Sequence, residues 1–274
     1  MHDAAHEAAT ETVAPPRQGD RSVADRLLRV LDAFDLERPA LSLTDISRRA
    51  GLPLATAHRM VAKLVSWGAL ERDGAGDYHI GLRLWEVGAL APRGIGLRDA
   101  ALPFLEDLYE ATHENVHLAV LDGTDTVYVE RLSGRSAVGV LSRVGARWPL
   151  HATGVGLVLL AHSAPELQER VCAGPLRAFT PHTITDPALL RRTLAEVRHR
   201  GCAISERQIT DDAVSVAAPV RGPQGDVMAA VSVVVRADDA RTSTLVPAVQ
   251  VAARGISRSL DRPGVLNGHA WTWT

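Results

Sequence analysis

This chain of 274 residues has little cysteine and no long hydrophobic run. Two cysteines, Cys172 and Cys202, are too few for a disulfide framework or a thiolate metal site. No apolar run approaches the length of about 18 residues that a membrane-spanning helix needs. The amino terminus also lacks the charged and then apolar pattern of a signal peptide. We therefore expect a cytoplasmic protein with no membrane partner.

The sequence also lacks the short motifs of several enzyme classes. It has no Gly-x-Ser-x-Gly nucleophile elbow, no phosphate-binding loop and no dinucleotide-binding fingerprint. His113 and His117 are spaced as zinc ligands are on a helix, but this segment is predicted to turn into a strand. Alternating strand positions would still place both imidazoles on one face, which leaves a weak adventitious metal site open. We predict no catalytic residue, no cofactor and no functional metal, with a small-molecule enzyme as the minor alternative.

Lysine is almost absent, and the single lysine, Lys63, lies in the most informative segment. Residues 40–81 contain two short amphipathic stretches, divided by Gly51-Leu52-Pro53 and followed by two strand-like stretches around a glycine-rich turn. Either Ser42 or Thr44 can cap the first helix, the glycine ends it, and the proline suits the start of the next. This order predicts a winged helix-turn-helix, whose second helix enters the major groove of DNA.

The second helix of this module, predicted over Leu54–Trp67, has two contrasting stripes. The buried stripe repeats at helical intervals and comprises Ala57, Met60 or Val61, Leu64 and Val65. The opposite stripe offers hydroxyl, imidazole and cationic groups that suit phosphate oxygens and base edges. This stripe, the preceding helix and the wing together supply the predicted DNA contacts, which are Thr44, Thr56, His58, Arg59, Lys63 and Arg72. Residues 21–72 carry a formal charge of +3 in a chain whose total is −2, as phosphate binding requires.

Composition divides the chain into segments with different expected structures. Residues 1–19 are small, polar and proline-containing, which predicts a disordered tail, and residues 261–274 form a second tail. The DNA-binding domain is expected over residues 20–81, linker helices over residues 82–112 and a second domain over residues 113–260. The linker pair is expected to form a dimer seam, although its apolar residues would equally suit a domain core.

In the second domain, β-rich runs follow one another and helical segments are segregated from them. Strands are predicted over residues 116–121, 126–130, 138–141, 202–208, 214–220 and 227–235. Helices are predicted to open at Thr153-Gly154, to cover residues 187–200 and to close the domain over Thr242–Leu260. This segregation is typical of an α+β domain with a mainly antiparallel sheet.

Three segments make the chain similar to transcriptional regulators of the isocitrate-lyase-regulator (IclR) family. They are residues 51–59, residues 149–153 with Leu159-Leu160-Ala161, and residues 217–220 running into residues 229–232. The resemblance covers about residues 20–260. It implies a winged helix-turn-helix, a linker helix and a GAF-like effector-binding domain for a small molecule. Members usually dimerise through the DNA-binding part, often form tetramers, and control catabolic operons for small acids or aromatic compounds.

The same resemblance implies an effector cup formed by the sheet, the loop over residues 149–155 and the start of the following helix. The implied lining is Val140, Ser142, Trp148, Gly154, Val155, Glu206, Ser215 and Ala217. Free amides at the helix start suit a carboxylate, while serine and tryptophan offer a hydrogen bond and an apolar wall. The chain departs from the family at Leu157, where lysine is common, and at Ser215, where cysteine is common. These departures count against a small keto acid and leave open a neutral or larger, more apolar effector.

The sequence therefore predicts a homodimeric or homotetrameric DNA-binding transcriptional regulator. Its partners would be double-stranded operator DNA and a small-molecule effector, either an organic acid or an aromatic metabolite. The family resemblance favours a repressor over an activator. A ligand-independent architectural protein, whose second domain only dimerises, is the alternative that we keep beside it.

Overall fold

The computed structural model describes residues 22–35, 37–91, 95–134, 139 and 143–261. The chain divides between residues 91 and 92 into two compact units. Among the described residues, no helix combines the length and the apolar character that crossing a membrane requires.

Within residues 22–35 and 37–91, the first unit contains four helices and a small antiparallel sheet. Its elements are α1 (Val23–Leu31), β1 (Ala40–Leu41), α2 (Leu43–Arg49), α3 (Leu54–Trp67), β2 (Leu70–Arg72), β3 (Tyr78–Ile80) and α4 (Leu82–Gly88). Strand β3 lies between β1 and β2 and pairs with both. Buried side chains from α1, α2 and α3, such as Val30, Ile46 and Val61, form the core of this unit.

Turn chemistry places α2, α3 and the wing where the sequence predicts them. Ser42 caps α2 by accepting a hydrogen bond from the Asp45 amide at 3.1 Å, whereas Thr44 lies exposed within the helix. Gly51 has a φ of 61°, in the left-handed region that glycine tolerates. In the wing, the Asp73 carboxylate accepts hydrogen bonds from three following amides, each at 2.9 Å. The predicted winged helix-turn-helix is confirmed.

Helix α1 ends at Leu31, and Asp32 caps its carboxyl end. The chain leaves the helix here because Arg49 of α2 donates a hydrogen bond to the Ala33 carbonyl at 2.6 Å and forms an ion pair with Asp35. These long-range contacts satisfy backbone and side-chain groups that helical periodicity alone does not reveal.

In the part of the chain that the structure describes, the second unit is built on a six-stranded antiparallel sheet. Its elements are α5 (Ile95–Thr112), β4 (Asn115–Asp122), β5 (Asp125–Leu132), β6 (Arg147–Pro149), α6 (Gly154–Ala161), α7 (Pro165–Ala173), α8 (Pro187–Arg200), β7 (Ala203–Glu206), β8 (Ala213–Arg221), β9 (Val227–Arg236) and α9 (Thr242–Leu260). The strand order across the sheet is β6-β5-β4-β9-β8-β7. The predicted α+β class is confirmed. The structure adds β1, β6 and α7 to the predicted elements, while the strand expected over residues 138–141 lies outside the described residues apart from Gly139.

Helices cover both faces of this sheet. Helices α5 and α9 pack on one face against residues such as Leu118 and Val231, and α6 packs on the other face beside Ala119 and Ala230. Neighbouring residues of one strand therefore belong to different cores, because strand side chains alternate. The segment of residues 82–112, expected as a linker, is shared between the units, since α5 buries apolar residues such as Leu105 in the core of the second unit.

Candidate DNA-binding surface and effector cavity

The outer face of α3 carries most of the side chains predicted to contact DNA. His58, Arg59 and Lys63 are exposed on this face, and Thr56 is half-buried near its start. The inner face is fixed by the buried residues Ala57, Met60, Val61 and Leu64. Packing of the inner face therefore determines which side chains α3 presents outward.

The cations of α3 differ in their pairing from the arginines of α2. Arg48 forms an ion pair with Asp45 at 2.6 Å, and Arg49 forms an ion pair with Asp35. Within the described part of the chain, the side chains of Arg59 and Lys63 make no hydrogen bond or ion pair. Their charges are therefore available to phosphate oxygens or base edges.

The remaining two predicted DNA contacts lie on separate elements. Thr44 is exposed on α2, and Arg72 is exposed at the end of β2. The Nε of Arg72 donates to the Gly76 carbonyl at 3.0 Å, and its guanidinium carbon lies 5.4 Å from the centre of the Tyr78 ring. These contacts hold the guanidinium along the wing hairpin.

A cavity of about 70 Å³ lies between the sheet of the second unit and the start of α6. Each of the six strands contributes a lining side chain, in sheet order Trp148, Tyr128, His117, Val234, Ser215 and Ser205. The rest of the lining is Ala152, Thr153, Gly154, Gln208, Ile209, Thr210 and Ala213. A water molecule needs about 10–15 Å³ on this scale, so the cavity has room for a small organic molecule.

The amino terminus of α6 forms one wall of the cavity. Thr153 caps the helix by accepting a hydrogen bond from the Gly156 amide at 3.0 Å. The amides of Gly154 and Val155 lie in the first turn of α6, where the helix has no carbonyl four residues earlier. They therefore have no hydrogen-bond partner within the helix. A Cβ at Gly154 would lie 2.7 Å from the Ser215 hydroxyl oxygen, so glycine permits the close approach of α6 to β8. The positive end of the helix dipole favours an electron-rich ligand group here.

The loop between β7 and β8 is held beside the cavity by hydrogen bonds. Thr180 donates to the Arg207 carbonyl and Thr183 donates to the Gln208 carbonyl, both at 2.6 Å. Arg207 itself has a φ of 57°, a left-handed conformation that is uncommon for a residue with a side chain. The loop therefore presents Gln208 to the cavity in a fixed position.

Aromatic rings dominate the other walls. Trp148 is only 4% exposed and meets Phe179 edge-on at 5.4 Å, while His117 meets Tyr128 edge-on at 5.2 Å. Burial, with a smaller effect of the nearby Arg131 charge, lowers the pKa of His117 to about 3. Burial also raises the pKa of the Tyr128 phenol, against the effect of a hydrogen bond with Thr153. Both side chains are therefore neutral near pH 7, and the described lining of the cavity carries no formal charge.

The structure places part of the predicted effector-binding set around this cavity. The predicted residues that line it are Trp148, Gly154 and Ser215. Val155 lies in the first turn of α6 with its side chain buried in the apolar core, and Ala217 lies under the helix start, its Cβ 3.5 Å from the position of a Cβ on Gly154. These two residues support the wall without forming its surface.

Glu206 requires a correction, because it does not line the cavity. It is exposed at the end of β7, and the alternation of the strand turns the buried neighbour Ser205 toward the cavity. Val140 and Ser142 lie outside the described residues. His117 and Tyr128 also line the cavity but are absent from the predicted set, although their alternating positions on two predicted strands were an available signal.

The two histidines considered for metal binding have different surroundings, since His113 is exposed and His117 is buried. His113 precedes β4 with a φ of 54°, and its ring lies 6.0 Å from that of Tyr109. His117 is instead buried on the sheet, where its ring meets that of Tyr128 edge-on. Among the described residues, no group of three or more His, Cys, Asp or Glu side chains is arranged to hold a metal ion.

Two protein-family models match the chain. The model described as "IclR helix-turn-helix domain" matches residues 23–74, and the model described as "Bacterial transcriptional regulator IclR C-terminal" matches residues 91–258. The second match alone spans more than half of the chain, and the two matches fall on the two compact units.

Named regulators and a solved structure are similar over most of the chain. Identity is 33% over 244 residues with the HTH-type transcriptional regulator XynR of Escherichia coli K12, covering 87% of this chain and 97% of that protein. Identity is 29% over 221 residues with the HTH-type transcriptional repressor AllR of the same strain, covering 80% and 82%. The crystal structure of an IclR homolog complexed with 4-hydroxybenzoate, from Microbacterium hydrocarbonoxydans, has 41% identity and a TM-score of 0.82, covering 87% and 99%.

The buried imidazole of His117 generates a prediction about pH and stability. Its folded pKa lies below the unfolded value of about 6.5, so the unfolded state takes up a proton first as the pH falls. The stabilising contribution of the neutral imidazole is complete above about pH 6.5. As the pH falls toward 3, we expect it to be lost at up to about 1.4 kcal/mol per pH unit.

Urea unfolding of the wild type, of His117→Gln and of the exposed control His199→Gln measures this contribution at about pH 7.5 and about pH 5. We expect the free energy of unfolding to depend less on pH in His117→Gln than in the wild type or the control. An unchanged pH dependence in His117→Gln would contradict the assignment of a neutral buried imidazole.

Proposed function

This chain belongs to the IclR family of bacterial transcriptional regulators, and we propose that it represses a catabolic operon until a small aromatic acid occupies the cavity. The predicted non-enzymatic, DNA-binding regulator is confirmed at the level of the family. The observation that carries the proposal is the uncharged, aromatic-walled cavity in a chain that also carries an exposed cationic helix face. Because its target is chromosomal DNA, we place its action in the cytoplasm.

Operator binding is assigned to the outer face of α3. Arg59 and Lys63 have no internal partner within the described ranges, and His58 and Thr56 lie on the same helix. Arginine can contact guanine edges with two hydrogen bonds, whereas lysine commonly neutralises phosphates. We therefore assign base contact to Arg59 and phosphate contact to Lys63, with Thr44 and Arg72 as flanking contacts from α2 and the wing.

We expect Arg59→Ala to weaken operator binding by about 1–3 kcal/mol, because a base contact would be lost. Lys63→Gln should instead weaken binding to all DNA sequences alike. It should also reduce the slope of log affinity against log salt concentration by about 1, because one fewer ion is released. Fluorescence anisotropy on the DNA upstream of the chain's own gene, at several salt concentrations, measures both effects. Arg191→Ala is the matched control, since Arg191 is paired with Glu169 in the second unit. Wild-type affinity in Arg59→Ala would remove this residue from the interface.

Self-association is assigned to the apolar surface of α4. Leu82 and Trp85 on α4 are 61% and 66% exposed, and Leu90 just beyond its end is 79% exposed, a concentration of large apolar side chains that marks an interaction surface. A second copy of this chain is the proposed occupant, because helix-turn-helix regulators read two half-sites as two-fold dimers. The assembly is then a dimer or a pair of dimers.

We expect Trp85→Glu to dissociate the dimer, because a charge would be buried at the apolar contact without a partner. The same variant should lose most of its operator affinity, since two linked half-sites bind more tightly than one. Light scattering after size-exclusion chromatography measures the mass. Leu189→Glu is the control, as Leu189 is an exposed leucine of α8 in the second unit. Retention of the wild-type mass by Trp85→Glu would exclude α4 as the contact.

An aromatic acid is proposed as the effector from the shape and chemistry of the cavity. Trp148 and Tyr128 supply flat apolar walls, while Ser205, Ser215 and Gln208 offer hydrogen bonds to ring substituents. The similar Microbacterium protein was crystallised with 4-hydroxybenzoate, which supports this class. The name of AllR as a repressor supports release of the operator on effector binding.

We expect 4-hydroxybenzoate or a related aromatic acid to change operator affinity by about 5- to 150-fold, the usual range of allosteric coupling. Ala213→Leu should abolish this response by filling the cavity, while operator affinity without effector stays at the wild-type value. Ala195→Leu is the control, because Ala195 is exposed on α8. Gel-shift titrations measure both quantities. Operator binding that is indifferent to every acid would instead favour the ligand-independent architectural alternative.

A further inference from the structure

We infer that Arg131 is the cationic anchor of the effector cavity and binds the carboxylate of the aromatic acid. This inference rests on the proposed effector-dependent function and adds a residue outside the cavity lining described above. It identifies the effector as an acid, since a neutral analogue would leave the guanidinium without an anionic partner.

A β-bulge turns Arg131 toward the cavity. Tyr128 is paired with Ala119, but the next pair on this strand joins Glu130 to Leu118, so Val129 is an extra residue in β5. The bulge reverses the alternation of β5. Arg131 and Tyr128 therefore lie on the same face of the sheet, although an odd number of positions separates them.

The register then places Arg131 beside the lining of the cavity. Arg131 is the direct cross-strand partner of His117, which lines the cavity. Side chains paired in this way have Cβ atoms about 4.5–5.5 Å apart. The long arginine side chain is therefore within reach of a group bound next to the His117 ring.

The guanidinium of Arg131 is oriented by neutral groups. Its Nη2 donates to the Asn115 side-chain oxygen at 3.3 Å and to the Ser133 hydroxyl at 3.1 Å. Its Nε is buried and has no hydrogen-bond partner within the described ranges. A carboxylate would supply that missing acceptor, and arginine commonly binds carboxylates through two parallel hydrogen bonds.

The acidic residues nearest to Arg131 in the sequence interact with other charged groups or face the opposite side of the sheet. Glu130 faces the opposite side of the sheet and forms an ion pair with Arg98. Glu114 interacts with the charges of Asp239 and Arg236. Residues 135–142 contain no Asp or Glu in their sequence. Burial, with a smaller effect of the nearby Arg143 charge, lowers the pKa of Arg131. Within the described ranges, the acidic residues nearest in sequence therefore leave the Arg131 guanidinium without a carboxylate partner.

The competing anchor is the amino terminus of α6 at Gly154 and Val155. A helix end offers roughly half an elementary charge, whereas the guanidinium offers a full charge with fixed geometry. The two sites also differ in their response to mutation, because backbone amides are unaffected when an arginine is replaced. This difference makes the two anchors experimentally distinguishable.

The test compares acids with their neutral amides on the full-length protein. Isothermal titration calorimetry with benzoate, the monohydroxybenzoates and the corresponding amides gives an acid-to-amide affinity ratio. We expect the wild type to prefer at least one acid, and Arg131→Gln to lose about 10- to 100-fold of acid affinity while amide affinity stays unchanged. Arg131→Lys should recover part of the preference, and the control Arg191→Gln should retain all of it.

Two outcomes would overturn the assignment of Arg131 as the anchor. If the wild type prefers none of the acids, whether because the amides bind equally or because neither series binds, Arg131 does not select an anionic group. If Arg131→Gln keeps the full preference, the amides of α6 hold the carboxylate. Operator binding by the same preparations separates these failures from a failure of the proposed function. Amides that alone change operator affinity would leave the effector-dependent function intact while refuting the anchor.

Discussion

Burial of one antiparallel sheet on both faces is the constraint on which the second unit depends. The central strand β9 turns Val231 and Val233 toward α5 and α9, and Ala230 and Ser232 toward the other side. Each fully buried aliphatic side chain contributes about 1.5–3 kcal/mol, so the valines of the first face add substantially to stability. The second face carries smaller and more polar side chains. Between that face and the start of α6, the cavity forms.

The same asymmetry explains why a binding site lies inside a stable core. Small residues such as Ser205, Ser215 and Gly154 leave space that larger aliphatic side chains would fill. Trp148 and Tyr128 bound this space with rigid rings, so it keeps its shape without a ligand. The cost of placing polar groups in the interior is offset when neighbours or a ligand satisfy their hydrogen bonds. The first face of the sheet therefore contributes to stability, and the second face also forms the cavity.

The sequence by itself determined the DNA-binding module, because the signals of that module are local. Ser42, Gly51 and the apolar spacing of α3 act within a few residues, and Asp73 organises the wing through adjacent amides. Local alternation and periodicity also determined the α+β class and the limits of α9 (Thr242–Leu260). Interactions between residues close together in the sequence produce patterns that can be recognised without knowledge of the fold.

Tertiary structure alone decided the lining of the cavity, because its residues meet only when distant strands pair. The strand β6 is three residues long and gains its structure from pairing with β5, which a periodicity argument does not detect. The sequence placed Glu206 in the cavity lining, whereas the structure places its neighbour Ser205 there. A shift of one position has this effect because alternate residues of a strand face opposite sides of the sheet. The bulge at Val129 decided that Arg131 shares a face with Tyr128. Strand register and bulges depend on partners far away in the chain, so only the folded sheet defines this site.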